Sequence, residues 1–124
     1  MAGKKKIIII EDYKFLREAM VRKLVEDGFE VLEAIDGEEG LKKIKEEKPD
    51  LVLLDLVLPG IGGFDVLAKI KEDITLERLK IVILSNLGQR EEIEKGMSLG
   101  AVDYLVKANF TPREISEKVK LLLK

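Results

Sequence analysis

Five short β-type stretches alternate with helix-period stretches along the whole chain, and no other feature restricts the fold as much. "KIIIIED" opens the series, followed by "FEVLEA", "LVLLDL", "KIVILS" and "DYLVK". Strands that each give way to a helix before the next strand begins build a parallel sheet with helices on both faces. The first, third and fourth stretches are continuous apolar runs, the pattern of strands covered on both sides, so they belong in the middle of the sheet. Crossovers between parallel strands are almost always right-handed, which leaves few ways to arrange five βα units. Strand order 2-1-3-4-5 puts the three most apolar strands inside. The expectation is one α/β domain over residues 1–124, a three-layer (βα)5 sandwich.

The helices carry readable ends. Tyr13 to Asp27 set Leu16, Ala19, Met20, Lys23 and Leu24 at helical spacing, and Gly28 stands where a C-terminal cap belongs. Asp36 is the expected N-cap of a helix from Gly37 to Glu46, with Glu39 three residues on as its capping-box partner. Gly63 to Asp73 reads as the third helix and Gln89 to Leu99 as the fourth, closed by Gly100. In "TPRE", Thr111 caps the last helix, Pro112 takes its first position and Glu114 completes a capping box. The basic start, Lys4 to Lys6, reads as a solvated strand entrance, and the preceding "MAG" as a remnant.

Composition removes whole classes of chemistry. The chain contains neither Cys nor His, which excludes disulfides, thiolate metal sites, a Cys nucleophile and the commonest general base. Any chemistry must run on carboxylates, hydroxyls and Lys. The 22 basic and 24 acidic residues are well mixed, so no cationic face for nucleic acid is implied. The longest clearly apolar runs span four residues, too short for a membrane span or a secretory segment, and a cytoplasmic location is expected. Heavy Lys and Glu usage without Cys or His suggests a heat-adapted source or an idealised sequence.

In sheets of this kind, sites lie beyond the carboxyl ends of the strands, where the winding direction reverses. The residues there are Glu11 and Asp12 after the first strand, Asp55 on the third, Ser85 and Asn86 after the fourth, and Lys107 after the fifth. Each has a plain structural reading: Asp12 as a helix cap, Ser85 as a strand end, Lys107 as a solvated side chain. Together they put three negative charges and one positive into one cleft. Carboxylates this close destabilise the fold unless a cation sits between them. Oxygen ligands without His or Cys point to Mg2+, which takes one or two carboxylates and keeps room for phosphate oxygens. An aspartate carboxylate can attack phosphorus to give an acyl phosphate, so Asp55 is both a ligand and a nucleophile candidate.

"IIIIED", "LVLLDLVLPGIGGFDVL", "IVILSN" and "GAVDYLVKA", in this order, resemble the receiver domain of two-component response regulators, of the single-domain, CheY-like kind. The likeness runs from about Lys6 to Lys124. It implies the flavodoxin-like fold, and because that family shares the strand order chosen above, the order is not an independent expectation. By this resemblance Asp55 takes a phosphoryl group from a phosphohistidine on a histidine kinase or phosphotransfer protein. Asp12 binds Mg2+ directly and Glu11 largely through water, with Asp55 and the backbone carbonyl of Val57 completing the set. Ser85 hydrogen-bonds the phosphoryl oxygen and Lys107 pairs with it. Tyr104 matches the family's aromatic switch, and Gln89 to Lys124 form the output face. The chain stops after the fifth helix, so the expected product is a switch that binds a downstream protein or relays the phosphoryl group. It makes no direct contact with nucleic acid or membrane, and it is no conventional enzyme beyond its own phosphorylation and dephosphorylation.

Three positions depart from the family pattern. Ala108 follows Lys107 where Pro after a cis bond is common, and a cis bond there costs about 3 to 4 kcal/mol, so the cis geometry is not carried over. Asn86 stands where a smaller residue is frequent, which narrows access to the phosphoryl group. Glu11 replaces a common Asp. Two rival readings accompany the switch. One is a silent or engineered receiver-fold scaffold without phosphosignalling. The other is a small Mg-dependent phosphatase; such proteins resemble "DxDxT" at the nucleophile, whereas this chain reads Asp55, Leu56, Val57.

Overall fold

A computed structural model describes residues 3–124; Met1 and Ala2, on which most of the expectation for "MAG" falls, lie outside the described residues. In chain order the elements are β1 (Lys6–Ile10), α1 (Lys14–Glu26), β2 (Glu30–Ala34), α2 (Gly37–Glu47), β3 (Leu51–Leu54), α3 (Gly63–Glu72), β4 (Lys80–Ser85), α4 (Arg90–Ser98), β5 (Asp103–Val106) and α5 (Pro112–Leu122). Short 3-10 turns occupy Ile74–Leu76 and Lys107–Asn109. The five strands are parallel in the order β2-β1-β3-β4-β5, as the apolar runs predict.

Side chains alternate across the sheet and feed two cores. Ile8, Ile10, Val52, Leu54, Ile81 and Ile83 meet Ile44 of α2 and Val66, Leu67 and Ile70 of α3 on one face. Ile7, Ile9, Leu51, Leu53, Val82, Leu84 and Leu105 meet Met20 and Leu24 of α1 and Ile115 and Val119 of α5 on the other. The four isoleucines of β1 are at most 1% exposed. Burial of each stabilises the domain by about 1.5 to 3 kcal/mol, which is why this strand sits centrally.

The caps follow local chemistry. Gly28 and Gly100 adopt φ 98° and 103°, the left-handed region where glycine carries no Cβ penalty. Thr111 Oγ1 accepts from Glu114 N and Glu114 Oε1 accepts from Thr111 N, the reciprocal box read from "TPRE". The box expected at Asp36 forms only by half. Asp36 Oδ1 accepts from Glu39 N at 2.8 Å, but the Glu39 carboxylate turns to Lys43 Nζ one turn on, an i,i+4 pair that outcompetes the bond back to the cap. α2 also runs one residue past the expected end and stops on Lys48 with φ 47°, a left-handed cap without glycine.

Strand ends differ from the quoted stretches in a way that matters for the site. β1 stops at Ile10, β3 at Leu54 and β5 at Val106, so Glu11, Asp12, Asp55 and Lys107 all stand just beyond the regular ladder. Glu11 N still donates to Ala34 O (3.0 Å) and Asp55 N to Ile10 O (3.1 Å), which ties both residues to the sheet edge. No helix among the described residues is long and apolar enough to cross a membrane.

Candidate functional site

Because β1 and β3 are neighbours with Ile10 opposite Leu54, the residues that follow them emerge side by side. One ligand atom each from Glu11, Asp12 and Asp55 lie within 4.8 Å of one another. Glu11 and Asp55 are buried, at 1% and 6% exposure, whereas Asp12 is exposed. The structural duty that would explain Asp12, capping α1, is not performed: the N-cap is Tyr13, without a side-chain cap. It is Glu11 that takes a backbone donor, its Oε2 accepting from Tyr13 N at 3.1 Å.

Lys107 enters from the end of β5. Its ammonium donates to Asp55 Oδ2 at 3.0 Å and stands 2.5 Å from Glu11 Oε1. The second contact is ionic rather than a directed hydrogen bond, because no donor among the described residues lines up with Glu11 Oε1. The Lys107–Ala108 peptide is trans, and the ammonium reaches both carboxylates all the same. Burial pushes the Glu11 carboxyl above its ordinary value, and the Lys107 ammonium and the Tyr13 N–H only partly oppose it. Burial also works against the Lys107 charge, but Glu11 and Asp55 outweigh it and hold the ammonium above its usual range. The lysine therefore stays charged, and Glu11 is the group under pressure to find more positive charge.

The turn after β3 is pinned to the helix that follows. A Cβ on Gly63 would lie 2.4 Å from the Asp55 carbonyl oxygen and 2.6 Å from Leu56 Cα, so only glycine lets α3 start against that backbone. Gly63 N donates to Leu56 O at 2.9 Å, and Val57 N donates to Asp55 Oδ1 at 3.3 Å. Asp55 is thus held by its own loop at one oxygen and by Lys107 at the other.

Ser85 ends β4, fully buried, with its Oγ accepting from Leu87 N at 3.2 Å. Tyr104 of β5 lies opposite Ile83, and its hydroxyl donates to the Leu87 carbonyl of the same β4–α4 loop. Its ring packs on α4 at Gly96, where a Cβ would be 3.2 Å from Tyr104 Cδ2. Burial, then the Glu92 and Asp55 carboxylates, raises the Tyr104 phenol above its ordinary value, so it remains a neutral donor. Ser85 and Tyr104 therefore grip one loop from two sides. Asn86, exposed, follows Ser85 at the rim.

The sequence reading did not pick out Arg17. Its Nη1 donates to the carbonyl oxygens of Glu11 (2.9 Å) and Asp12 (3.3 Å), and its Nε to Glu33 Oε1 (3.0 Å). The available signal was an arginine beside the apolar stripe of α1, one turn after the acid pair, where a solvated residue would be ordinary.

The donor chemistry fits a hard divalent cation. Three clustered carboxylates, one of which, Glu11, has a buried oxygen without a hydrogen-bond donor, offer the oxygen set that Mg2+ takes. The lysine ammonium covers part of their charge and leaves the exposed Asp12 side open.

The family model of the response regulator receiver domain matches residues 7–120. The alkaline phosphatase synthesis transcriptional regulatory protein PhoP of Bacillus subtilis (strain 168) is 38% identical over 122 residues, covering 97% of this chain and 49% of that protein. The phosphate regulon transcriptional regulatory protein PhoB of Rhizobium meliloti (strain 1021) is 35% identical over 119 residues, covering 96% and 52%. The chain spans about half the length of these curated relatives. Among solved structures, a response regulator receiver domain protein (CheY-like) from Methanospirillum hungatei JF-1 superposes with a TM-score of 0.89 at 29% identity, over 98% of this chain and 94% of that one. The matched span holds the acid trio, the buried serine and the lysine that pairs with Glu11 and Asp55, and the chain belongs to the response regulator receiver domain family.

Proposed function

We propose that this protein is a phosphorylation-controlled switch in which Asp55 accepts a phosphoryl group from the phosphohistidine of a kinase or phosphotransfer protein. The observation that carries the reading is the Lys107 ammonium shared between Asp55 and Glu11 inside a cluster of three carboxylates. Glu11, Asp12, Asp55 and the backbone carbonyl of Val57 would hold Mg2+, which when bound neutralises charge on the phosphoryl oxygens.

Asp55 supplies the nucleophile. One carboxylate oxygen attacks phosphorus as the phosphorus–nitrogen bond of the donor breaks; the imidazole leaves with the electron pair and takes up a proton. The Val57 N–H and the Lys107 ammonium fix the carboxylate from its two oxygens, the positioning that phosphoryl transfer asks of a protein. Lys107 then exchanges the carboxylate for a phosphoryl oxygen, and the Ser85 hydroxyl turns to another. That turn withdraws Ser85 from Leu87 N and frees the β4–α4 loop. Tyr104, held to the same loop by the Leu87 carbonyl, loses its partner and moves inward. The face from Gln89 to Lys124, comprising α4, β5 and α5, changes shape and binds a downstream protein, or the phosphoryl group is relayed.

The test is incubation with acetyl phosphate and Mg2+ followed by intact-mass measurement. One phosphoryl group is expected on the wild-type chain and none on Asp55→Asn. Equal labelling of both overturns the assignment.

A further inference from the structure

The acid pair at the end of β1 has a second set of oxygens, its backbone carbonyls, and these are occupied. The Arg17 guanidinium, on a side chain 12% exposed, donates through Nη1 to the carbonyls of both Glu11 and Asp12, at 2.9 and 3.3 Å. The same guanidinium is anchored at its other edge by Glu33 Oε1, 3.0 Å from Nε. Glu33 is in turn held to α2, its carbonyl accepting from Lys43 Nζ. A chain of contacts therefore runs from α2 through the end of β2 and α1 to the turn that carries the acids.

We infer that Arg17 is a positioning residue for the cation of the proposed site and sets its preference for Mg2+ over Ca2+; this rests on the reading of the site given above. A carbonyl already donated to by a guanidinium is a poor metal ligand, since a cation approaching it meets a positive charge. With the Glu11 and Asp12 carbonyls withdrawn, the β1 turn offers carboxylates alone. Few protein oxygens with water completing the shell suit Mg2+, whereas Ca2+ recruits about six to eight oxygens, backbone carbonyls among them. The guanidinium charge would by itself repel either ion. Glu33 neutralises it at hydrogen-bond distance, so fixing the turn is the larger effect. Lysine could not replace it, because a point ammonium cannot hold two carbonyls and a carboxylate at once in a planar fork.

The experiment is calorimetric titration of the full chain with MgCl2 and, separately, CaCl2, on wild type, Arg17→Ala, Arg17→Lys and Glu33→Gln, each checked by thermal melting. Arg17→Ala is expected to bind Mg2+ about tenfold more weakly, close to 1.4 kcal/mol, with Ca2+ affinity equal or higher. The Mg2+ to Ca2+ ratio thus falls, and Arg17→Lys recovers less than half of it. Should Arg17→Ala not fold, the same fall, smaller in size, is expected from Glu33→Gln, which removes only the far anchor. A ratio unchanged from wild type in the folded variants overturns the inference. Wild type binding neither cation would overturn the metal reading of the site as well, so the two failures are distinguishable.

Discussion

Replacing Lys107 with Ala removes a cation that touches two buried carboxylates at once, and the size of the loss can be worked from the geometry. At an effective dielectric of about 20, contacts at 2.5 and 3.0 Å are each worth about 6 kcal/mol before solvation is considered. The three side chains are 14%, 2% and 7% exposed, so taking their charges out of water offsets much of that. Deleting one partner of a buried pair leaves the other charge stranded and costs about 3 to 5 kcal/mol. Here Glu11 and Asp55 are both stranded, and they repel one another. We expect Lys107→Ala to lose about 3 kcal/mol in metal-free buffer at neutral pH, the lower end because a carboxyl can take up a proton instead. With a urea slope of about 1.5 kcal/mol per molar for a domain of this size, the midpoint falls by about 2 M. The assay is urea unfolding followed by circular dichroism, with and without Mg2+. Added Mg2+ should stabilise the variant more than the wild type, since the ion replaces the missing positive charge. A metal-free midpoint equal to that of wild type would mean that water already screens the carboxylates, and the electrostatic account of the cleft would be wrong.

Other expectations follow from the same contacts. In phosphorylated Lys107→Ala, Mg2+ binding should persist while the Tyr104 fluorescence change on phosphorylation disappears; an unaltered response would separate the lysine from the switch. Gly96→Ala would put a Cβ 2.5 Å from Ile83 Cδ1 and 3.2 Å from Tyr104 Cδ2, and should lower stability by about 1 to 2 kcal/mol despite the better helix propensity of alanine, as read from thermal melting. Asp27, where α1 ends, accepts from Ser116 Oγ of α5 at 2.6 Å; that bond, with the Lys120 and Lys23 charges, outweighs the opposing effect of burial and leaves its carboxyl below the ordinary 3.8. A carboxyl depressed by folding adds stability that is present above pH 3.8 and lost as the pH falls through the lower folded value. Ser116→Ala should therefore be less stable than wild type at neutral pH, with the difference shrinking in acid; a constant difference in urea midpoint across that range would contradict this.

Most of the fold was legible because its cause is local. Four successive isoleucines cannot be left half solvated, and the "TPRE" cap needs only residues three apart. The cluster of Glu11, Asp12, Asp55 and Lys107 was legible for a related reason: parallel strands bring their carboxyl ends to one edge, so strand ends alone predict neighbours. What escaped depends on contacts between elements. The reach of Arg17 to Glu33 crosses from helix to strand and leaves no periodic mark. Gly40 reads as a weak point in a helix, yet a Cβ there would lie 2.3 Å from Ile10 Cδ1, so its absence is what lets α2 sit on β1. The left-handed cap at Lys48 breaks the preference for glycine, and nothing in its side chain explains the choice. The 3-10 turn at Ile74–Leu76 did leave a signal, because Asp73 Oδ1 accepts from both Thr75 N and Thr75 Oγ1, but it lies in a connection where no element was expected.

The claim on which the rest depends is that a single carboxylate, Asp55, becomes the acyl phosphate. Borohydride reduces an aspartyl phosphate to homoserine, which marks the acceptor permanently for peptide mass mapping. After acetyl phosphate and Mg2+, homoserine is predicted at position 55 and at no other acid. Homoserine formed from Asp12, or the reduced glutamyl counterpart at Glu11, with Asp55 intact, would contradict the account.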